Sequence, residues 1–321
     1  MLKVVVTDYS FPSLDVEKAI LDPTGCQFIA AQCKTPAELI PLIADADFII
    51  TQFAPLNAAV IAAMKRARVI ARYGIGVDNI DLEAARQRGI PVCNVPDYCI
   101  DEVADHTLAL ILATSRAVVP HWTHVKTGQW SLPVPFDAMW ALKDSTVGVV
   151  GFGRIGRAVA RRLAAFNFKL LVHDPFLSDS EIERAGCVPT SFDELLGAAD
   201  LITLHVPSTA DTRQIINRET LKKMRAGVVL VNVSRGTLID TDALIEALKR
   251  GHVRAAALDV IDPEPINPDN PLLKMNNVII TPHAASVSAK AVQTLREAVA
   301  KTVLCAMRGE PLRNVVNGVT P

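Results

Sequence analysis

Three residues able to do acid–base or anion chemistry stand just past the ends of apolar runs. Arg235 follows VVLVNV (228–233), Glu264 follows AAALDV (255–260) inside DPEP, and His283 follows VIITP (278–282). Singly, each has an ordinary explanation. An arginine after a strand is usually solvated, a glutamate in DPEP is usually a turn residue, and a lone histidine is usually satisfied structure. Together they match one need. Reducing a 2-oxo acid with NADH takes a cation to hold the carboxylate and polarise the carbonyl, and an acid to protonate the oxygen as hydride arrives. The planar fork of arginine suits the first task. Histidine suits the second, because it titrates near working pH and a neighbouring carboxylate favours its protonated form.

The stretch VGVVGFGRIGRAV (147–159) supplies the other half of such a reaction. Gly151, Gly153 and Gly156 make a GxGxxG directly after a strand-like run and at the head of a helical one. The first glycine permits a tight turn and the second lets a pyrophosphate approach the backbone. The third lets helix and strand pack closely, and the helix N-terminus supplies N–H groups and a positive dipole end. A close-packed structural turn would need similar glycines. The next apolar run, however, ends in HDP, placing Asp174 18 residues beyond Gly156, where a carboxylate accepts from the adenosine ribose hydroxyls. Asp174 would repel a 2′-phosphate, and Pro175 and Phe176 offer no cation to hold one, so NAD (as NADH) is expected rather than NADP.

These residues need a scaffold that puts strand ends side by side. KVVVTD (3–8), QFIAAQ (27–32), FIIT (48–51), VIARY (69–73) and VCNV (92–95) read as buried strands, and a second series reads likewise: TVGVVG (146–151), KLLVHD (169–174), LITLHV (201–206), VVLVNV, AAALDV and VIITP. Between them lie helical segments, including TPAELIPLIAD with a capping-box spacing from Thr35 to Glu38, NAAVIAAMKRA, and DLEAARQRG ending at Gly89. Continuous apolar strands alternating with helices imply parallel sheets covered on both faces. A long helix is expected in CIDEVADHTLALILATSRAV, an irregular Trp- and Pro-rich stretch in HVKTGQWSLPVPFDAMWALKD, and a last helix at about 286–307. The class is α/β with two domains, and joining helices near 100–116 and at the end suit a hinged cleft.

Composition narrows the field of functions. The 321 residues suffice for two domains, half are hydrophobic, and 33 Lys and Arg balance 34 Asp and Glu. No charge surplus points to nucleic acid or an anionic membrane. No apolar run reaches the roughly 18 residues of a membrane helix, and the apolar start, interrupted by Asp8, reads as a strand rather than a signal peptide. A cytoplasmic protein is expected. Cys26, Cys33, Cys93, Cys99, Cys187 and Cys305 form no ligand pattern and read as reduced thiols. His121 and His124 in HWTH lack an acidic or thiol partner nearby, so no metal site is expected.

With these residues in hand, the chain resembles the D-isomer-specific 2-hydroxyacid dehydrogenases. The resemblance is carried by RYGIGVDNID, GIPVCNVPDY, EVADHTLALIL, VGFGRIG, LHVPSTADT, VNVSRGTLID, ALDVIDPEP and TPHAA, in that order over nearly the whole length. It implies two doubly wound parallel-sheet domains, with a Rossmann NAD-binding domain (98–287) inserted in a flavodoxin-like substrate domain (1–97 plus 288–321). It implies that Arg235 binds and polarises the substrate, that Glu264 orients and charges His283, and that His283 is the general acid/base. Cofactor contacts would fall on Gly151, Gly153, Arg154, Ile155, Gly156, Asp174, His205, Val206, Pro207, Thr212, Val233, Asp259 (to the nicotinamide carboxamide), His283 and Ala285. Substrate contacts would fall on Phe53, Tyr73, Gly74, Ile75 and Gly76, the last three through backbone N–H groups, besides Arg235 and His283. A homodimer is implied, with 121–142 as the candidate contact.

Departures are small. Asp105 stands in VADH where the family usually has glutamate, and Glu264 stands where the related formate dehydrogenases have glutamine, which argues against formate. The loop Thr51-Gln52-Phe53-Ala54-Pro55, expected to face the substrate's far end, has no Lys or Arg, and the chain ends without the regulatory domain of many phosphoglycerate dehydrogenases. Short, neutral 2-oxo acids are therefore the expected substrates (the matching 2-hydroxy acids in reverse), with Phe53, Tyr73, Tyr98 and Trp130 as candidate pocket walls or simply packing. The rival expectation is an NAD-sensing binding protein resembling the C-terminal binding proteins, which keep the same Arg, Glu and His.

Overall fold

A strand that lies in the middle of a covered parallel sheet buries both faces, so its side chains must be apolar without alternation. The computed structural model, which describes residues 1–136, 139 and 141–320, places the runs VVV and FII in that setting. Its contacts divide the chain into two compact units, Met1–Tyr98 with Ser288–Pro321, and Cys99–Val287.

The first unit is a five-stranded parallel sheet of β1 (Lys3–Val6), β2 (Gln27–Ala30), β3 (Phe48–Thr51), β4 (Val69–Arg72) and β5 (Val92–Cys93), in the order β2-β1-β3-β4-β5. This is the flavodoxin-like order. Val5, Ile49 and Ile70 point to one core, shared with Leu39 and Ile43 of α2 (Pro36–Ile43), Val60 and Ile61 of α3 (Ala58–Ala63) and Ala85 of α4 (Leu82–Gln87). Val4, Val6, Phe48 and Ile50 point to the other, filled by Leu21 of α1 (Asp15–Leu21) and by Leu295, Val299, Ala300 and Val303 of α12 (Ala289–Arg308). The Thr35–Glu38 capping box forms as its spacing requires, and Gly89 and Gly309 take left-handed conformations where α4 and α12 end.

The second unit is a seven-stranded parallel sheet: β6 (Thr146–Val150), β7 (Lys169–His173), β8 (Val188–Pro189), β9 (Leu201–Leu204), β10 (Val228–Asn232), β11 (Val253–Leu258) and β12 (Val278–Ile280). Its order, β12-β11-β10-β9-β6-β7-β8, is the Rossmann order extended by one strand. Helices α9 (Phe192–Ala198), α10 (Arg218–Lys223) and α11 (Thr241–Lys249) supply the apolar cluster on one face. On the other side α5 (Ile100–Ser115) lies against α7 (Arg154–Ala164), β10 and β11. Arg162 of α7 donates to Asp101 (2.8 Å) and to Asp105 (2.6 Å) of α5, so the aspartate that replaces the family's usual glutamate still pairs with the dinucleotide helix. A short α8 (Asp179–Glu183) precedes β8.

Three details depart from the sequence reading. The seventh strand, β8, was not expected; it is two residues long and includes a proline. α3 stops at Ala63, so MKRA is not helical. HWTH lies on a separate helix, α6 (Val118–Lys126), which starts after Ala117 in a left-handed conformation. Of the stretch 121–142 expected to carry a dimer contact, Asp137, Ala138 and Trp140 lie outside the described residues. All six cysteines are free thiols: Cys33 and Cys93 are buried in the first unit and Cys99 and Cys187 in the second, while Cys26 and Cys305 are partly exposed. Burial pushes the Cys93 thiol up to about 11.

Candidate active site

β6 pairs with β7 on one side and with β9 on the other, so the turn after it lies where the strand order reverses. Gly151 has φ +90°, and a Cβ there would stand 2.8 Å from the His205 carbonyl carbon and from Val206 Cγ1. A Cβ on Gly156 would overlap the Gly151 carbonyl oxygen, whereas one on Gly153 would meet nothing within 4 Å. The first and third glycines are thus needed for packing, and the second faces open space. That space borders the first turn of α7, where Arg154 and Ile155 follow a Gly153 cap with no side chain to satisfy their N–H groups. It is the shape a pyrophosphate requires.

Asp174, just past β7, accepts from the N–H of Phe152 (2.8 Å, Oδ2) and of Phe176 (3.0 Å, Oδ1). Each oxygen keeps a second acceptor position for a ribose hydroxyl, beside a depression lined by His173, Asp174, Pro175, Thr190 and Glu194. After β9, His205 contacts the glycine turn from below, with Nε2 2.9 Å from Thr203 Oγ1. Burial of its ring lowers its pKa to about 3, so this imidazole is neutral. Thr212 donates to the Pro207 carbonyl (2.6 Å) and accepts from Thr209 N–H (2.8 Å), which folds the loop that begins at Val206. Val233, at the end of β10, is buried. The residues present fit a dinucleotide.

The three candidate residues Arg235, Glu264 and His283 follow β10, β11 and β12. Asn232, fully buried, accepts from Ser234 N–H (3.0 Å) and donates to the Arg235 carbonyl (2.8 Å), and Arg235 Nη1 donates to the Ser234 carbonyl (2.7 Å). A side chain on Gly236 would overlap the backbone of Ile261, so glycine is what lets the loop after β10 close against the loop carrying Glu264. Glu264 Oε1 accepts from Ile261 N–H (3.1 Å) and Oε2 from His283 Nδ1 (2.8 Å). Burial pushes the Glu264 carboxyl up, but the hydrogen bond and charge of His283, the Ile261 N–H and the Arg235 charge outweigh it, leaving the group below the usual glutamate range. His283 has φ +54°, and its N–H is held by the Asp259 carbonyl at 2.8 Å. The Asp259 carboxylate, 1% exposed, accepts from Ala284 N–H (2.8 Å), Ala285 N–H (2.9 Å) and Thr281 Oγ1 (2.5 Å).

In the first unit, the residues expected at the substrate end of β3 and β4 divide by direction. Tyr73 is 2% exposed; its hydroxyl donates to Glu17 (2.9 Å), which is paired with Arg296 of α12 at 2.7 Å. Its ring therefore faces the unit's own core, and so does much of Tyr98. Gly74, expected to offer its N–H to a carboxylate, is itself buried and donates that N–H to the Arg72 carbonyl (2.9 Å); nearer the surface is the backbone of Ile75 and Gly76, with Asn94 Nδ2 donating to the Ile75 carbonyl (2.6 Å). Phe53 (56%) and, on the second unit, Trp130 (91%) are exposed. His121 and His124 bond to the Ala117 carbonyl and the Ser131 hydroxyl, and among the described residues no three His, Cys, Asp or Glu gather as metal ligands.

Sequence reasoning missed four positioning side chains. Asp8 receives Gln52 N–H (2.9 Å) and Phe53 N–H (2.6 Å), shaping the 51–55 loop at the β1/β3 switch point. Arg72, at the end of β4, brings a cation to a loop read as lacking one: its guanidinium lies 5.9 Å from the Phe53 ring centroid and occupies the space beside Gly74. Both residues were visible as polar groups at strand ends. Thr281, directly after β12, had the same signal; His106, inside α5, had none.

Residues 108–285 match the family model described as the NAD binding domain of D-isomer specific 2-hydroxyacid dehydrogenase. The chain is 43% identical over 262 residues to the D-3-phosphoglycerate dehydrogenase of Archaeoglobus fulgidus, covering 82% of this chain and 49% of that protein. It thus spans about half the length of that relative. It is 38% identical over 284 residues to the glyoxylate reductase of Korarchaeum cryptofilum, covering 87% of this chain and 85% of that one. The structure superposes on that of D-lactate dehydrogenase from Aquifex aeolicus, complexed with NAD and lactic acid, with a TM-score of 0.88, 31% identity and 96% of each chain covered. With a matching fold, a glycine turn shaped for a dinucleotide and a Glu264–His283 pair at the strand ends, the chain belongs to the D-isomer-specific 2-hydroxyacid dehydrogenase family.

Proposed function

We propose that the protein is an NAD-dependent D-2-hydroxyacid dehydrogenase that reversibly reduces a 2-oxo acid to a D-2-hydroxy acid. The observation that carries this is the 2.8 Å contact of His283 Nδ1 with Glu264, beside Arg235 and on the same unit as the glycine turn. NADH, held by Gly151, Gly153, Gly156 and Asp174 in the 98–287 domain, supplies the hydride. Arg235 binds the substrate carboxylate and draws electron density from the carbonyl. With Nδ1 committed to Glu264, His283 exchanges the reaction's proton with the carbonyl oxygen at Nε2. Glu264 stabilises the charged imidazole and fixes the ring.

The remaining assignments follow from the same reading. Residues 1–97 with 288–321 form the substrate domain, where the Ile75–Gly76 backbone offers N–H groups to a carboxylate and Phe53 is the side chain for the substrate's far end. Short 2-oxo acids with an uncharged tail are the preferred class, since Phe53 is the exposed side chain there and Arg72 is buried beneath it. The named relatives are oxidoreductases, so the NAD-sensing alternative is not favoured. Exposed Trp122 (61%), Trp130 (91%) and Phe136 (84%) support a homodimer built on this stretch. Six free thiols support a cytoplasmic protein; no described helix is long and apolar enough to cross a membrane. The test is NADH oxidation across short, branched, aromatic and phosphorylated 2-oxo acids. Turnover of the short neutral class is expected. Tight NADH binding without turnover of any class would reject the enzyme reading.

A further inference from the structure

The turn that carries His283 is held by one buried side chain, and that side chain is itself held from behind. The main-chain N–H of His283 ends on the Asp259 carbonyl, and the N–H groups of Ala284 and Ala285 end on its two carboxylate oxygens. Three successive amides therefore converge on Asp259. A carboxylate can do this in only one rotamer, so whatever fixes the rotamer of Asp259 fixes the turn. Thr281 does so directly, with Oγ1 2.5 Å from Oδ1. His106 of α5 stands behind it, with Nε2 3.0 Å from Thr281 Oγ1 and 3.6 Å from Asp259 Oδ1.

The direction of this chain follows from counting protons. A hydroxyl has one to give, and a carboxylate can only accept. Thr281 donates to Asp259 and so acts as acceptor toward His106, which must carry a proton on Nε2. The order is His106 to Thr281 to Asp259. A carboxylate offers about four acceptor positions. Thr281 and Ala284 take those of Oδ1, and Ala285 takes one of Oδ2. The second position on Oδ2 can receive an amide donor such as the carboxamide assigned to Asp259. One rotamer thus serves both the histidine turn and the cofactor end of the site.

We propose that His106 and Thr281 are positioning residues for proton transfer: acting through Asp259, they lock the 283–285 turn so that the His283 ring meets Glu264 in the reactive orientation. This rests on the role given to His283 under Proposed function. His106 touches neither His283 nor Glu264, lies 175 positions before Thr281, and acts only through the relay. Misplacing a reacting group by about 1 Å costs on the order of 100-fold in rate.

The experiment compares Thr281→Val, Thr281→Ser and His106→Phe. For Val and Phe, kcat should fall by about 10- to 100-fold while the KM for the oxo acid changes by less than about 3-fold, the pattern of a lost transition-state alignment. Ser, which keeps the hydroxyl, should restore kcat. In the ligand-free protein, hydrogen exchange at the Ala284 and Ala285 amides should quicken in Val and Phe and stay as in wild type in Ser. Wild-type kcat in both Val and Phe overturns the proposal, and so does unchanged exchange at those amides. Should wild type turn over no 2-oxo acid, the reading of His283 fails instead, and the exchange measurement still decides whether His106 and Thr281 hold the turn.

Discussion

His283 pays for its position in backbone strain: φ near +54° costs a residue with a Cβ about 1–2 kcal/mol. The bond from its own N–H to the Asp259 carbonyl and those of the next two amides offset that cost, and the result is a ring aimed at Glu264 from a rigid turn. Removing the ring should therefore leave the turn and the cofactor site intact. His283→Ala and Arg235→Ala are each expected to lower kcat/KM by about 100- to 10,000-fold with NADH affinity, read by fluorescence titration, largely unchanged. Retained turnover in either would remove that residue from the chemistry. Glu264 is held below the usual glutamate range, so its charged form is present above that range and is lost only as pH falls through the lowered value. In Glu264→Gln that charge is gone at every pH. The acid limb of the rate profile for oxo-acid reduction, where the wild-type Glu264 loses its charge, should then disappear. An acid limb that persists would deny Glu264 its electrostatic role.

At the level of elements, α12 returns to the first unit through charge as well as apolar packing. Arg296 donates to both oxygens of Glu17 (2.9 and 2.7 Å) and to the Ser13 carbonyl, and Tyr73 closes the cluster from the end of β4. Glu17→Gln would leave a buried guanidinium without its counter-charge, a loss of about 3–5 kcal/mol to be read in urea unfolding. A loss under about 1 kcal/mol would mean that apolar contacts alone fasten α12. Burial, then the Glu17 charge, raise the Tyr73 phenol far above the ordinary tyrosine range. Its contribution to stability is present below about pH 10 and falls as pH rises beyond. None of this was legible beforehand: Glu17 and Arg296 lie 279 positions apart, and only folding brings them together. Strands with both faces buried were legible, because sheet position forces an unbroken apolar run. β8 was not, since two residues with a proline at a sheet edge carry no pattern. The start of α6 was missed because it lies at a left-handed alanine with no capping side chain. The candidate Arg, Glu and His could be read from strand ends, as could Thr281; His106, mid-helix and 175 positions away, required the contacts.

Over the whole molecule, the chain builds one unit, leaves it at Tyr98, completes a second, and returns at Ser288 to finish the first. The first unit lacks part of its core until the last helix is made, so the second unit, a single continuous segment, is the one able to fold first. The thiols offer a way to watch this. Cys33 and Cys93 are sealed in the first unit and Cys99 and Cys187 in the second, so an alkylating reagent reaches each pair only when its own unit opens. Pulsed alkylation along a denaturant ramp, read peptide by peptide, should give NADH-dependent protection that is larger for Cys99 and Cys187 than for Cys33 and Cys93. Equal protection of all four would mean that the two units open as one. The protein carries, in four unremarkable core residues, its own internal clock for the order in which its halves come apart.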